Sequence, residues 1–214
     1  SALNVTATDA PTVSSTSLEF TFRGCAALTS IGGDWDVSSV ENMYGIFYQA
    51  TGFNQDIGDW DVSSVTSMAY MFYNATSFNQ NIGSWDVGEV TTMASTFYNA
   101  DVFNQAIGSW DVAKVTQMGT MFDQAASFNQ DISEWETGAV INMNAMFQNA
   151  TSFDTAIPTS SAKWDVSSVE NMSAMFLGSP FNQALSTWDV SSVTNMSYMF
   201  QNVTEFNQNI GNWD

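Results

Sequence analysis

One phase of the chain carries an acid in every copy: Asp36, Asp61, Asp86, Asp111, Glu136, Asp165, Asp189 and Asp214. Each sits directly after a tryptophan. If the copies stack, neighbouring carboxylates lie about 4.8 Å apart. At that distance two like charges repel by about 1 kcal/mol in water and about 3–4 kcal/mol at an effective dielectric of 20. Two kinds of chemistry would offset this. Each carboxylate can accept N–H groups from its own following turn, or a hard cation such as Ca²⁺ can sit among oxygen-only ligands. The first is the favoured expectation. Asp36, Asp61, Asp86, Asp111, Asp165 and Asp189 are the weak metal candidates of the second. The chain has neither an EF-hand loop nor a calcium-binding nonapeptide.

Other reactive groups are few. The 214 residues include no His and one cysteine, Cys25. Imidazole-based triads and imidazole metal sites are excluded. Cys25 has neither a His partner nor a disulfide mate. Paired carboxylates can serve a glycosidase, but identical pairs in a row are a poor way to raise one pKa selectively. The chain is therefore expected to be non-enzymatic and without a resident cofactor. Its 22 acidic and three basic residues give a net charge of −19. That balance excludes a nucleic-acid partner, which needs a basic footprint. It favours cations or basic proteins. No stretch approaches 18 consecutive apolar residues, so no membrane insertion is expected.

What positions the acids is a 25-residue repeat, best read at Phe53–Ser77, FNQDIGDWDVSSVTSMAYMFYNATS. Trp35, Trp60, Trp85, Trp110 and Trp135 recur every 25 residues, and Trp164, Trp188 and Trp213 follow at intervals of 29, 24 and 25. Nine apolar side chains in one unit do not offset the entropy of ordering it. Units must share buried faces by stacking. Within a unit, Met68, Met71, Phe72 and Ala75 have the i, i+3, i+4, i+7 spacing of a helical face, and Ser63, Ser64 or Thr66 can cap its start. Around Gly58–Ser63, Trp60 and Val62 alternate with Asp59, Asp61 and Ser63, which predicts a short strand with Asp61 outward. The expected fold is thus an α/β repeat solenoid, right-handed, with one short parallel strand and one short helix or 3₁₀ segment per 25-residue turn.

Residues 1–24 form an N-terminal lead-in whose Leu18–Phe22 alternation predicts a cap strand. Residues 25–214 form about 7.5 repeats, with an insertion near 158–163 and no C-terminal cap. Asn54, Asn79, Asn104, Asn129, Asn182 and Asn207 make a column beside a glutamine column, as a structural amide ladder would. Asp154 and Thr155 break both columns, which predicts local irregularity. Six N-x-S/T sequons, at Asn4, Asn74, Asn149, Asn171, Asn195 and Asn202, are glycosylation candidates should the protein be secreted by a eukaryote. The unit FNQ-x-I-G-x-W-D-V-S-S-V-T-x-M-x-x-M-F-x-N-A-T resembles BspA-like leucine-rich-repeat surface proteins, including their Mycoplasma-type repeat group. The resemblance covers about residues 25–214. It implies a leucine-rich-repeat-like solenoid on an extracellular or cell-surface protein linked to adhesion or to no known activity, and it carries no catalytic residues.

Two functions follow as expectations. The first is a structural or adhesion protein that assembles end to end into a filament. Its edges would be Phe206, Ile210 and Trp213 at one end and Leu18, Phe20 and Phe22 at the other. The second is a binding module whose acidic face captures Ca²⁺, a glycan or a basic protein of a host or cell surface.

Overall fold

The computed structural model describes residues 13–155, 157 and 163–213. The expected insertion, apart from Ile157 and Lys163, lies outside the described residues. So do Asn4 and Asp214. The chain runs as eight coils, each resting on the next. Parallel bridges join Ser17, Asn42, Ser67, Thr92, Gln117, Asn142, Asn171 and Asn195 in succession. Only one residue per coil pairs in this way. Among the described residues there is no helix, and strand pairing is confined to isolated bridges. The expected α/β class, with a strand and a helix in each turn, is therefore wrong.

The reason lies in the backbone hydrogen bonds of the segment expected to be helical. Met71, Tyr73 and Ala75 donate to the carbonyls of Met68, Tyr70 and Phe72, three residues back, at 3.0–3.1 Å. The alternate residues Met68, Tyr70, Phe72 and Asn74 donate instead to Thr92, Ala94, Thr96 and Tyr98 of the next coil, at 2.8–3.1 Å. An α-helix would use all these N–H groups within itself. Here half of them hold the neighbouring coil. The segment is a run of short turns, broken every fourth residue by a left-handed backbone at Tyr70 (φ 58°) and Asn74 (φ 55°). In one such column six of the eight described positions carry residues that tolerate this conformation, Gly24, Asn74, Asn99, Asn149, Gly178 and Asn202, while Gln49 and Gln124 adopt it without that advantage. The turn run buries Met68, Met71, Phe72 and Ala75 completely. It therefore shows the same i, i+3, i+4, i+7 signature as a helix.

Leu18–Phe22 is not a strand either. Leu18, Phe20, Phe22 and Gly24 donate to Asn42, Tyr44, Ile46 and Tyr48, while Thr21 and Arg23 donate back to Leu18 and Phe20. Residues 18–24 are a further copy of the turn run, lying on the first full coil. Around Gly58–Ser63 the chain makes turns rather than a strand. Val62 is buried and Asp61 exposed, as expected, while Trp60 is half-buried.

Rings fill the interior in columns. Within the stack Phe72 lies 3.9 Å from Phe78 and 5.6 Å from Phe97, all near-parallel. Phe97, Phe103 and Phe122 repeat the arrangement. Trp85 and Trp110 stack at 6.4 Å. Indoles also reach back to the preceding coil: Trp85 donates to the Ile57 carbonyl, Trp110 to Ile82 and Trp135 to Ile107, at 3.0–3.1 Å. These columns bury the rings and tie three elements with one side chain. After the insertion the indole of Trp188 is buried with no partner for its N–H among the described residues.

The left-handed positions give a test. A Cβ at Gly45 (φ 56°) would collide with the Phe20 ring, whereas a Cβ at Gly24 (φ 69°) meets nothing within 4 Å. Gly24→Ala should cost about 1–2 kcal/mol from backbone strain alone. Gly45→Ala should cost clearly more, because Phe20 must also move. Equal losses in denaturant unfolding would contradict this packing.

Candidate functional site

The acidic column closes its own turns. The Oδ1 of Asp36 accepts the Ser38 hydroxyl at 2.7 Å and the Ser38 N–H at 3.1 Å. Asp61 does the same with Ser63 at 2.6 and 3.1 Å. Asp86, Asp111, Asp165 and Asp189 each accept the N–H two residues on, at 2.9–3.1 Å. The Ser hydroxyls, and then the backbone N–H groups, hold Asp36, Asp61 and Asp189 below the usual carboxylate range. Glu136 makes no such turn. Beside it the buried Thr137 donates its hydroxyl to the Asp165 carbonyl at 2.9 Å. Among the described residues no three Asp, Glu or Cys side chains come together as a metal-ligand group.

Open hollows repeat along this side of the stack. One, about 550 Å³, lies between Gly108–Ala113 and Glu134, Glu136 and Lys163. Another, about 450 Å³, lies between Ser186–Ser191 and Asn212. Lys163 pairs with Glu134 and Lys114 with Glu89, both at 2.7 Å and both exposed. The first hollow carries Asp111, Glu134, Glu136 and Lys163, the second a single charged residue, Asp189.

The amide column is an inter-coil ladder. Asn79 N–H donates to the Asn54 side chain at 2.9 Å, and Gln80 Nε2 to the Asn54 carbonyl at 2.9 Å. The expected break at Asp154 and Thr155 does not occur. Asp154 N–H donates to Asn129 Oδ1, and Asp154 Oδ1 accepts from Asn182 N–H. An aspartate carboxylate replaces the amide oxygen without loss, because the ladder needs only an acceptor there.

The candidate sequon residues also have backbone roles. Asn74, Asn149 and Asn202 occupy left-handed positions. Asn171 and Asn195 each accept the Ser N–H two residues on, at 3.0 Å. Of these five, Asn149, Asn195 and Asn202 are exposed. The candidate assembly residues stand at opposite ends of the stack. Leu18 and Phe22 are buried, and Phe20 packs edge-on against Tyr44 and Tyr48. Phe206, Ile210 and Trp213 are partly buried against the last coil.

A second row, of tyrosines, lies along the turn runs. Tyr48, Tyr73 and Tyr98 stack at 4.6 and 4.3 Å with planes 5° apart. The Arg23 guanidinium lies 5.1 Å over Tyr48 at one end of the row. Asp123 follows in the next coil, 3% exposed, held by Gln148 Nε2 at 3.2 and 3.3 Å. Burial pushes Asp123 up to about 6, against the pull of Gln124 and Gln148. The 25-residue spacing of Tyr48, Tyr73, Tyr98 and Asp123 was visible in the sequence. It was hidden inside a segment assigned to a helix.

A family model described as "Mycoplasma protein of unknown function, DUF285" matches residues 4–102, 80–161 and 159–214. The chain belongs to this family. No curated protein matches it. The three matched segments of the DUF285 chain overlap, and each spans more than one 25-residue repeat.

The two kinds of carboxylate have opposite effects on stability. Asp123 binds its proton more tightly folded than unfolded, so its penalty is absent below about pH 3.8 and complete above about pH 6. The shift corresponds to on the order of 3 kcal/mol. Asp36, Asp61 and Asp189 stabilise above pH 3.8, and that contribution is lost as pH falls through their lowered values. Melting temperature should therefore peak near pH 4 and decline toward pH 7. Asp123→Asn should flatten the decline, and a decline unchanged in that variant would contradict the assignment. Raising NaCl should also raise the melting temperature, since screening relaxes a charge of −19. Insensitivity to salt would show the acidic rows to be electrostatically neutral in effect.

Proposed function

We propose that the chain is a non-enzymatic structural or adhesive module of an extracellular or cell-surface protein, of the BspA-like kind, which extends by adding coils end on end. The supporting observation is the polarity of its two edges. Met172, Ala174, Phe176 and Gly178 donate N–H groups to Asn195, Ser197, Met199 and Gln201. The equivalent N–H groups of Met196, Tyr198, Phe200 and Asn202 have no acceptor among the described residues. At the other end, the carbonyls of Ser17, Glu19, Thr21 and Arg23 stand where Asn42, Tyr44, Ile46 and Tyr48 accept such bonds one coil later. Those of Glu19 and Thr21 accept none among the described residues.

A second copy stacked head to tail sets donors against acceptors and continues the register. Tail-to-tail pairing sets donors against donors. The favoured contact is thus heterologous and does not close, which produces filaments. Phe200 would stack on the next copy's Phe22, as Phe22 now stacks on Phe47 at 5.6 Å. A chain carrying further coils would present the same donor edge at its own last coil. Light scattering from micromolar to millimolar concentration should show a rising mass, and Phe200→Glu should hold the chain monomeric. A wild-type chain monomeric throughout would sink the end-on-end reading.

A further inference from the structure

The turn runs present a face unlike the rest of the surface. Across residues 19–24, 44–49, 69–74, 94–99, 119–124, 144–149, 173–178 and 197–202, the charged residues are Glu19, Arg23 and Asp123. The chain as a whole carries 22 acids. Arg23 lies over Phe20 at 4.8 Å and Tyr48 at 5.1 Å, so the chain's own cation closes one end. Asp123 is buried and closes the other.

Between those ends lie five tyrosines, none fully buried. Tyr48, Tyr73 and Tyr98 form the stacked row. Tyr44 and Tyr70 stand outside it, tilted 45° to each other at 5.1 Å. Tyr70 leans on the row, 5.8 Å from Tyr73. An amide row runs alongside: Asn99 Nδ2 donates to Asn74 Oδ1 at 2.8 Å, and Gln124 Nε2 donates to the Tyr98 hydroxyl at 2.6 Å. Burial, and then the Tyr98 neighbour, push Tyr73 up to about 12, so its hydroxyl stays protonated.

We propose that this tyrosine and amide face binds an uncharged oligosaccharide along the first four coils. Aromatic rings offer apolar surface to sugar C–H groups, while phenols and amides exchange hydrogen bonds with sugar hydroxyls. A chain of net charge −19 repels sialylated and sulphated glycans. For a cationic peptide this face exposes one carboxylate among the described residues, Glu19, at its first-coil end beside Tyr44, and the ring position best placed for a cation already holds Arg23. A repeating saccharide also matches a repeating row. The proposal deepens the adhesive part of the function above and is independent of end-on-end stacking.

The chain supplies its own tolerated substitutions. Ser95 occupies the place of Tyr70, and Gln148 the place of Tyr73, both one or more coils on. The test is an array of neutral, sialylated and sulphated oligosaccharides with an oligoarginine peptide alongside, probed with the full chain carrying Phe200→Glu. Using that variant separates glycan binding from assembly. Retention on neutral glycans is expected. Tyr70→Ser and Tyr73→Gln should each weaken it by about tenfold, as loss of an aromatic anchor does, with unfolding curves showing the fold intact. The combined Asp61→Asn, Asp86→Asn and Asp111→Asn variant should bind as before. Absence of neutral-glycan binding, preference for the anionic glycans or for oligoarginine, or binding unaffected by the tyrosine changes would each overturn the proposal.

Discussion

Among the described residues, each coil but the last sends half its turn-run N–H groups to the next coil. That division governs the rest of the structure. A helix would satisfy each segment alone and leave coils to associate by side chains only. Here Met68, Tyr70, Phe72 and Asn74 cannot complete their bonding without Thr92, Ala94, Thr96 and Tyr98 in register. Buried backbone groups without partners are costly, so the repeat length is held near 25. Side-chain columns then follow automatically. Phe over Phe, Trp over Trp and Asn over Asn are consequences of backbone register, and each adds its own stacking or hydrogen bond to it.

The same constraint accounts for much of the polar chemistry that looked functional. Asp36, Asp61 and their copies close turns, Asn54 and its copies accept backbone N–H groups, and the Asn74 column supplies left-handed residues. An acceptor is required at these places more than a particular residue, which is why Asp154 can serve where asparagine usually stands. Among the described residues the indole of Trp188 lacks the carbonyl that Trp85, Trp110 and Trp135 find. Departures from the repeat are therefore more informative than the repeat. Tyr48, Tyr73, Tyr98 and Asp123 stand out because their carbonyls take the inter-coil backbone bonds, which any residue could do, and nothing in that bonding requires their side chains.

The repeat, its length, the stacking of copies, the inward tryptophans and valines and the outward acids were all legible in the sequence, because burial imposes a period that composition cannot disguise. The favoured role of the aspartates in their own turns was legible too, since Asp followed two residues later by Ser is a local signal. The helix and the strand were misjudged. A spacing of i, i+3, i+4, i+7 records which side chains are buried, and a run of turns with left-handed breaks buries the same ones. Only the partner of each N–H separates the two, and for Met68, Tyr70, Phe72 and Asn74 that partner lies 24 residues away. The one-dimensional chain thus determined that coils must stack and what fills them. Their backbone conformation, the polarity of their edges and the gathering of five tyrosines on a nearly uncharged face were decided by contacts between coils, which exist only once the stack has formed.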